Sequence, residues 1–307
     1  MRGKELQKIF PALGTVNTIT LYDGFAPEIA EQVKKRVLDL HRRFSIFEQE
    51  SDIFRINEQA GIKTVPVHQD TFFVLSHALA YGRETRGAFD ITSGAASRLW
   101  RDAVRSAQIP SESDIAGCRS LSGLADLILD KADGTAFLRR NGQQIDLGGI
   151  AKGYAADEAV RILKKYKVHN ALINFGGTVI GVGREQKIGI QNPFQKSGVS
   201  MADIMVKNKA VVTSGSYEQG FFFEGVRYHH IIDPRTGWPA DSGLLSVTLI
   251  GDSAMELDAL ATGICVLGEK NGLPLLEKRG IEAVFISDNG EVKITNGLQD
   301  NFFLKSN

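Results

Sequence analysis

The 307-residue sequence is poor in cysteine, carries no excess of either charge and has no long apolar run. Its two cysteines, Cys118 and Cys265, lie far apart without a Cys-x-x-Cys partner, a pattern of small buried side chains rather than of a functional centre. Thirty-six basic residues balance 36 acidic ones, which excludes a broad electrostatic footprint for nucleic acid and leaves room only for a locally positive pocket. No stretch approaches the roughly 18–20 apolar residues of a membrane helix, so no transmembrane segment is expected. The charged start, Met1-Arg2-Gly3-Lys4-Glu5, offers neither an apolar h-region nor a lipid-attachment cysteine. As written, the chain is expected in the cytoplasm. It would be periplasmic or anchored at the cell surface if an export signal has been removed.

What is present suits a globular protein with a substantial core. The alternation from Leu13 to Leu21 predicts a strand closed by Asp23-Gly24, and Val33, Val37, Leu40 and Phe44 predict a helix after Pro27. Asp70 is the expected N-cap of a further helix through Phe72, Leu75 and Leu79. Arg86 to Gly94 reads as a structured loop. Asn141-Gly142 predicts a hairpin joining Ala136–Arg140 to Gln144–Leu147, with a helix after it. Strand-like runs follow at 171–175, 187–190, 201–206 and 210–212, and a second hairpin pairs 220–223 with 229–232 around Glu224-Gly225. A strand at 244–250, a helix around Asp258 and a strand at 283–287 complete the order. Hairpins mixed with helices point to an α+β fold in one domain.

Three segments carry chemistry. Ile145-Asp146-Leu147-Gly148-Gly149-Ile150-Ala151-Lys152-Gly153 sets a carboxylate, bare backbone and an ammonium at the mouth of a helix, a place that favours anions. Asp146 and Lys152 fit ligand binding and an ordinary strand-to-helix bend about equally. Asp258 and Thr262 are four residues apart, so on a helix their oxygens share a face, and carboxylate plus hydroxyl is hard-oxygen ligation of the kind magnesium takes. Alone, Asp-x-x-x-Thr reads as an exposed helix face. Leu257, Ala259, Leu260, Ala261 and Ile264 make this helix largely apolar, however, and a buried Asp258 needs a cation or a strong hydrogen bond. Of the adjacent His229 and His230, at most one should line a given pocket, since neighbours on a strand face opposite ways. Asp233 to Gly237 is a tight turn, and Gly176-Gly177 lacks both the P-loop and the dinucleotide spacing.

These segments, with Gly87-Ala88-Phe89-Asp90-Ile91-Thr92 and Thr213-Ser214-Gly215, stand in an order that resembles the ApbE family of flavin transferases. The resemblance covers nearly a whole family domain, 11–303, with 1–10 as an N-terminal extension. It implies an α+β, T-fold-related architecture of mixed, largely antiparallel sheets with packed helices. It further implies magnesium-dependent transfer of FMN from FAD to a threonine or serine of an acceptor protein that carries a flavinylation motif, with release of AMP. Asp258 and Thr262 would hold Mg2+ with the Gly149 carbonyl, and His230 would accept the acceptor's proton beside the catalytic Asp258. Ala88, Phe89, Asp90, Asp146, Lys152 and Ile232 would contact FAD. Leu13 stands where the family often has methionine, and Phe47 where it often has a flavin-stacking tyrosine. Two other outcomes share these residues: a metal-dependent FAD pyrophosphatase, and an FAD-binding protein without chemistry.

Overall fold

The computed structural model describes residues 5–23 and 27–305. Residues 1–4 of the expected extension and Gly24 of the expected turn lie outside that range. The chain opens with β1 (Leu6–Ala12) and β2 (Thr15–Leu21), joined by Leu13 and Gly14 at φ of 52° and 73°. Two positive-φ residues make the primed turn whose twist suits paired strands. The expected strand therefore begins at Thr15, with Leu13 in the turn. Residues 6–10, set apart from the domain in the sequence, run in β1 and pair along β2 from Leu6↔Leu21 onward. Their mixed polarity, with Phe10 and Ala12 buried on one side only, conceals this membership.

Next come α1 (Pro27–Phe44), α2 (Asp52–Glu58), β3 (Val65–Pro66), α3 (Gln69–Glu84), α4 (Gly94–Ser106) and α5 (Glu112–Ser120). The pair β4 (Leu127–Asp130) and β5 (Thr135–Leu138) precedes α6 (Ala151–Lys165). The second half contains β6 (Ala171–Phe175), β7 (Thr178–Val182), β8 (Gln186–Gln191), β9 (Ser200–Val206), β10 (Ala210–Gly215), β11 (Gly220–Phe223), β12 (Val226–His229) and β13 (Leu244–Gly251). It closes with α7 (Ala254–Leu267), α8 (Glu269–Glu277), β14 (Glu282–Ser287), β15 (Val292–Ile294) and β16 (Phe302–Leu304).

Eight strands form one sheet in the order β1-β2-β6-β7-β10-β13-β14-β15, with every neighbouring pair antiparallel. Helices α1, α6 and α7 join the main core on one face, where Val33, Ala159, Leu260, Val212 and Phe285 are buried together. The other face is covered over part of its length by β16-β9-β8, whose Ile188 and Ile204 pack with Val211, Val284 and Ile286. Val211-Val212 and Val284-Phe285-Ile286 are continuous apolar runs for this reason: successive side chains enter opposite cores. A small third core under the β11–β12 hairpin gathers Ala96, Trp100, Ala103, Ile115 and Ile232.

Three local expectations are corrected. His68, not Asp70, caps α3, its ring nitrogen accepting the Asp70 N–H at 3.2 Å. Asp70 is instead buried in a bidentate pair with Arg36 at 2.6 and 2.7 Å, also accepting the Tyr154 hydroxyl at 2.7 Å. The strand before Asn141-Gly142 pairs with β4, not with Gln144–Leu147. Those later residues are claimed elsewhere: the Asp146 N–H donates to Ile91 O at 2.9 Å, and Asn57 holds both backbone polar groups of Ile145. In the second hairpin β12 starts at Val226, because Glu224 and Gly225 (φ 49° and 79°) form a two-residue turn that leaves His230 just past the strand.

Candidate active site

The site forms where α6 and α7 cross. Asp157 of α6 caps α7 from outside, its carboxylate accepting from Ser253 Oγ at 2.9 Å and from the Ala254 and Met255 N–H groups at 2.9 and 3.0 Å. These bonds satisfy donors that a helix start leaves free and place a negative charge at the positive end of the dipole. One turn earlier on α6, Gly153 lies so close to α7 that an added Cβ would come within 2.6 Å of the Ala254 carbonyl carbon and Met255 Cα. That approach lets the Gly153 N–H donate to Asp258 Oδ2 at 2.9 Å. Asp258 is only 2% exposed. The Lys152 ammonium stands 3.6 Å from its other oxygen and donates to Gly148 O at 2.9 Å. The buried carboxylate thus has the hydrogen bond and cation that burial demands.

Thr262, one turn along α7, donates to Asp258 O at 3.1 Å, and Ser214 Oγ at the end of β10 lies 3.3 Å from Thr262 Oγ1. Gly149 abuts the same threonine, since a Cβ there would sit 3.0 Å from Thr262 Oγ1 and 3.2 Å from Phe89 Cε2. Asp258, Thr262 and Gly149 therefore share one small region, with Ser214 beside them. No cluster of three His, Cys, Asp or Glu residues suited to a metal occurs among the described residues. A set of one carboxylate, one hydroxyl and a backbone carbonyl fits a hard cation that takes its other oxygens from water or phosphate.

Asp146 continues the site toward α4. Its Oδ1 accepts the Gly148 N–H at 2.7 Å, fixing the turn before Gly149, and its Oδ2 pairs with Arg101 at 2.7 Å. Asp90 accepts the N–H and hydroxyl of Thr92 at 2.7 and 2.6 Å on a single oxygen, and burial pushes its carboxyl above the usual range. Ala88 and Phe89 are buried immediately before it.

The two histidines have different surroundings, His229 ending β12 and His230 following it. His229 is buried, with Nε2 donating to Ala240 O at 3.0 Å and Nδ1 accepting the Ile231 N–H at 3.3 Å. Both nitrogens are engaged in the neutral form, and burial holds its pKa down at about 4. His230 is half-buried. Its Nδ1 lies 3.2 Å from Gln219 O, so an Nδ1–H directed there leaves the Nε2 lone pair free. Burial first, then the nearby Lys152 and Arg101 charges, lowers its pKa below 6.5. Ile232 anchors this segment in the third core. The Asp233–Gly237 turn is pinned by the Trp100 indole, which donates to Gly237 O at 2.8 Å.

Lys152, Gly149, Asp258 and Thr262 are thus brought together, with Asp146, Phe89 and His230 around them. Leu13 and Phe47 are joined indirectly, through His41. The Leu13 N–H donates to His41 Nδ1 at 3.2 Å, and His41 faces Glu48 next to the exposed Phe47. No hydrogen bond joins that pair to the Asp258 group among the described residues. Two surface hollows, of about 440 Å³ by Arg86 and Lys270 and about 420 Å³ by Arg119 and Pro234, are lined by none of the expected site residues. Arg101, Ser214 and Gly153 went unassigned in the sequence. Ser214 lies within Thr213-Ser214-Gly215 and Gly153 within the segment from Ile145, whereas Arg101 has no signal beyond its charge.

A family model described as ApbE family matches residues 13–285. The chain belongs to the ApbE family. Among ApbE relatives, an FAD:protein FMN transferase of Klebsiella pneumoniae is 34% identical over 267 residues, covering 85% of this chain and 84% of the relative. An FAD:protein FMN transferase of Treponema pallidum is 30% identical, covering 97% and 89%. The crystal structure of the ApbE protein from Thermotoga maritima superposes with a TM-score of 0.89 at 30% identity, covering 99% of this chain and all of that one. The ApbE flavin transferase of Vibrio cholerae gives 0.83 at 26%, covering 97% and 99%.

Proposed function

We propose that this ApbE-family chain is a magnesium-dependent FAD:protein FMN transferase that modifies a threonine or serine hydroxyl of an acceptor protein and releases AMP. The observation that carries the reading is the buried Asp258, bonded to the Gly153 N–H and faced by Lys152, in a chain whose relatives are named for this reaction. Asp258, Thr262 and the Gly149 carbonyl would hold Mg2+, which when bound would draw charge from the diphosphate oxygens. Lys152 balances the charge that builds as the diphosphate is cleaved. Ala88, Phe89, Asp90, Asp146 and Ile232 would line the FAD, with Leu13 and Phe47 at its outer edge.

His230 enters as a free base at neutral pH because its pKa is lowered. Its Nε2 takes the proton of the acceptor hydroxyl while that oxygen bonds to the FMN phosphorus. The bond from this phosphorus to the bridging oxygen breaks, and AMP leaves with that oxygen. The weak nucleophile is held in line, which is where most of the catalysis in phosphoryl transfer arises.

The test is mass spectrometry of an acceptor protein incubated with FAD and magnesium, with AMP followed in parallel. An FMN adduct with matching AMP, abolished by EDTA, is expected. Free FMN and AMP without an adduct would instead favour the pyrophosphatase, and tight FAD binding without turnover the carrier. His230→Ala should abolish transfer while FAD binding persists. Metal-dependent turnover surviving Asp258→Ala would refute the ligand assignment.

A further inference from the structure

The β11–β12 hairpin is more apolar and less complete than a surface loop needs to be. Cross-strand pairing places Phe221 opposite Tyr228 and Phe223 opposite Val226. These four side chains share a face. At the root it is supported: the Tyr228 ring stacks on Trp100 at 5.7 Å and 7°, and Phe221 lies 5.6 Å from Tyr228. Toward the tip the same face continues uncovered, with Phe223 44% and Val226 54% exposed. On the other face Phe222 is 70% exposed. Neither strand pairs with a third among the described residues, so both edges keep unpaired backbone groups. Open edges and exposed aromatic side chains are features proteins cover when they have no use for them.

Arg227 adds a charge without a counterpart. Its guanidinium lies 5.6 Å from the Phe222 ring and donates from Nη2 to Ser216 O at 3.1 Å. Its buried Nε has no hydrogen-bond partner, and no carboxylate among the described residues is paired with it. The hairpin also runs directly into the site, since His230 follows β12 and its N–H donates to Gln219 O at 3.2 Å. At about 3.3 Å per residue, a strand laid along β12 spans the roughly 13 Å from Val226 to His230 in four or five residues.

We propose that this hairpin is the docking surface for the acceptor polypeptide: an extended acceptor segment adds to its open edge, sets apolar side chains against Phe223 and Val226, and places an acidic side chain on Arg227. The proposal rests on the transferase reading. Backbone pairing along an edge gives affinity, side chains at alternate positions give selectivity, and the strand direction delivers the acceptor hydroxyl to His230. The unpaired guanidinium selects an acidic segment over a basic one.

The test compares wild-type protein with Val226→Glu and Phe223→Ser, using as probe a purified acceptor protein that the wild type labels with FMN. FAD affinity, AMP release without acceptor, thermal stability, and KM and kcat for the acceptor are measured for each. Both side chains are exposed and outside the FAD and metal groups, so the first three readouts should stay within about twofold. The acceptor KM should rise by about tenfold or more, the effect of losing a contact worth 1.4 kcal/mol. That KM should also climb with salt in the wild type, and less so in Arg227→Gln. An unchanged acceptor KM in both tip variants would overturn the docking surface. So would parallel losses of FAD affinity and acceptor transfer, which would place the hairpin in FAD binding. Wild-type protein that binds FAD and labels no acceptor would remove the transferase reading, and the docking surface with it.

Discussion

Gly153→Ala sets two effects of known size against each other. Within a helix, alanine exceeds glycine in stability by about 1 kcal/mol, and Gly153 lies inside α6. On propensity alone the substitution stabilises. The added methyl, however, would come within 2.6 Å of the Ala254 carbonyl carbon and Met255 Cα, and closer still to the Ala254 carbonyl oxygen. These are backbone atoms of α7, so no side chain can rotate away, and the helices must separate. Overpacking of this kind costs about 1–3 kcal/mol. Separation also lengthens the 2.9 Å bond from the Gly153 N–H to Asp258, a charged hydrogen bond of about 1.5–3 kcal/mol. The steric and hydrogen-bond terms win, for a net destabilisation of about 2–4 kcal/mol. At roughly 2 °C per kcal/mol in a chain of this size, Tm should fall by about 4–8 °C. Thermal melts monitored by circular dichroism measure that shift, and magnesium-dependent AMP release from FAD should fall more than stability alone requires. A Tm equal to or above wild type would refute the close approach of α6 and α7 on which the site depends.

Arg101→Gln removes the charge paired with Asp146 and one of the three cations, with Lys152 and Arg227, that act on His230. FAD should bind about tenfold more weakly, and the lower limb of the pH–activity profile should move up in pH; an unmoved profile would detach Arg101 from His230. His229 is neutral in the fold with a pKa of about 4, against 6.5 when unfolded, so protonation favours the unfolded chain. Its contribution of about 3 kcal/mol is complete above pH 6.5 and lost as pH falls toward 4. The slope of stability against pH in that window should flatten in a folded His229→Phe variant. Asp157→Ala removes the external cap of α7 and should cost about 1–3 kcal/mol in urea titrations, with a loss below 0.5 kcal/mol arguing against the cap.

The fold class and the central part of the site were legible because their signals are local. The glycine pair before an amphipathic helix, and an aspartate inside an apolar one, each show within a dozen residues. Asp258 was expected to need a partner, but sequence could not say that the partner is a backbone N–H 105 residues away. Arg101 was invisible for the same reason, because Asp146 lies 45 residues along the chain. The Asn141-Gly142 hairpin misled because a turn specifies a reversal and not the strand it pairs with. Here Asn57 and Ile91 outbid β5 for the residues after the turn. A helix-start aspartate serves equally well as a cap or as an ion-pair partner, and Asp70 takes the second role because Arg36 lies against it.

Strands β2 and β6 lie side by side, yet β2 ends at Leu21 and β6 begins at Ala171. Everything between them, including Phe89, Asp146 and Lys152, belongs to one long crossover between neighbouring strands, whose helices α1 and α6 pack back on the sheet face. Closing so long a loop adds little to the equilibrium cost, since each doubling of length is worth only about 0.6 kcal/mol, but distant pairings form slowly. Local hairpins such as β1–β2 can assemble long before Gly153 finds Asp258. Recovery of FAD binding after dilution from urea should therefore lag behind recovery of the strand signal. Competence is the last property the chain acquires as it folds.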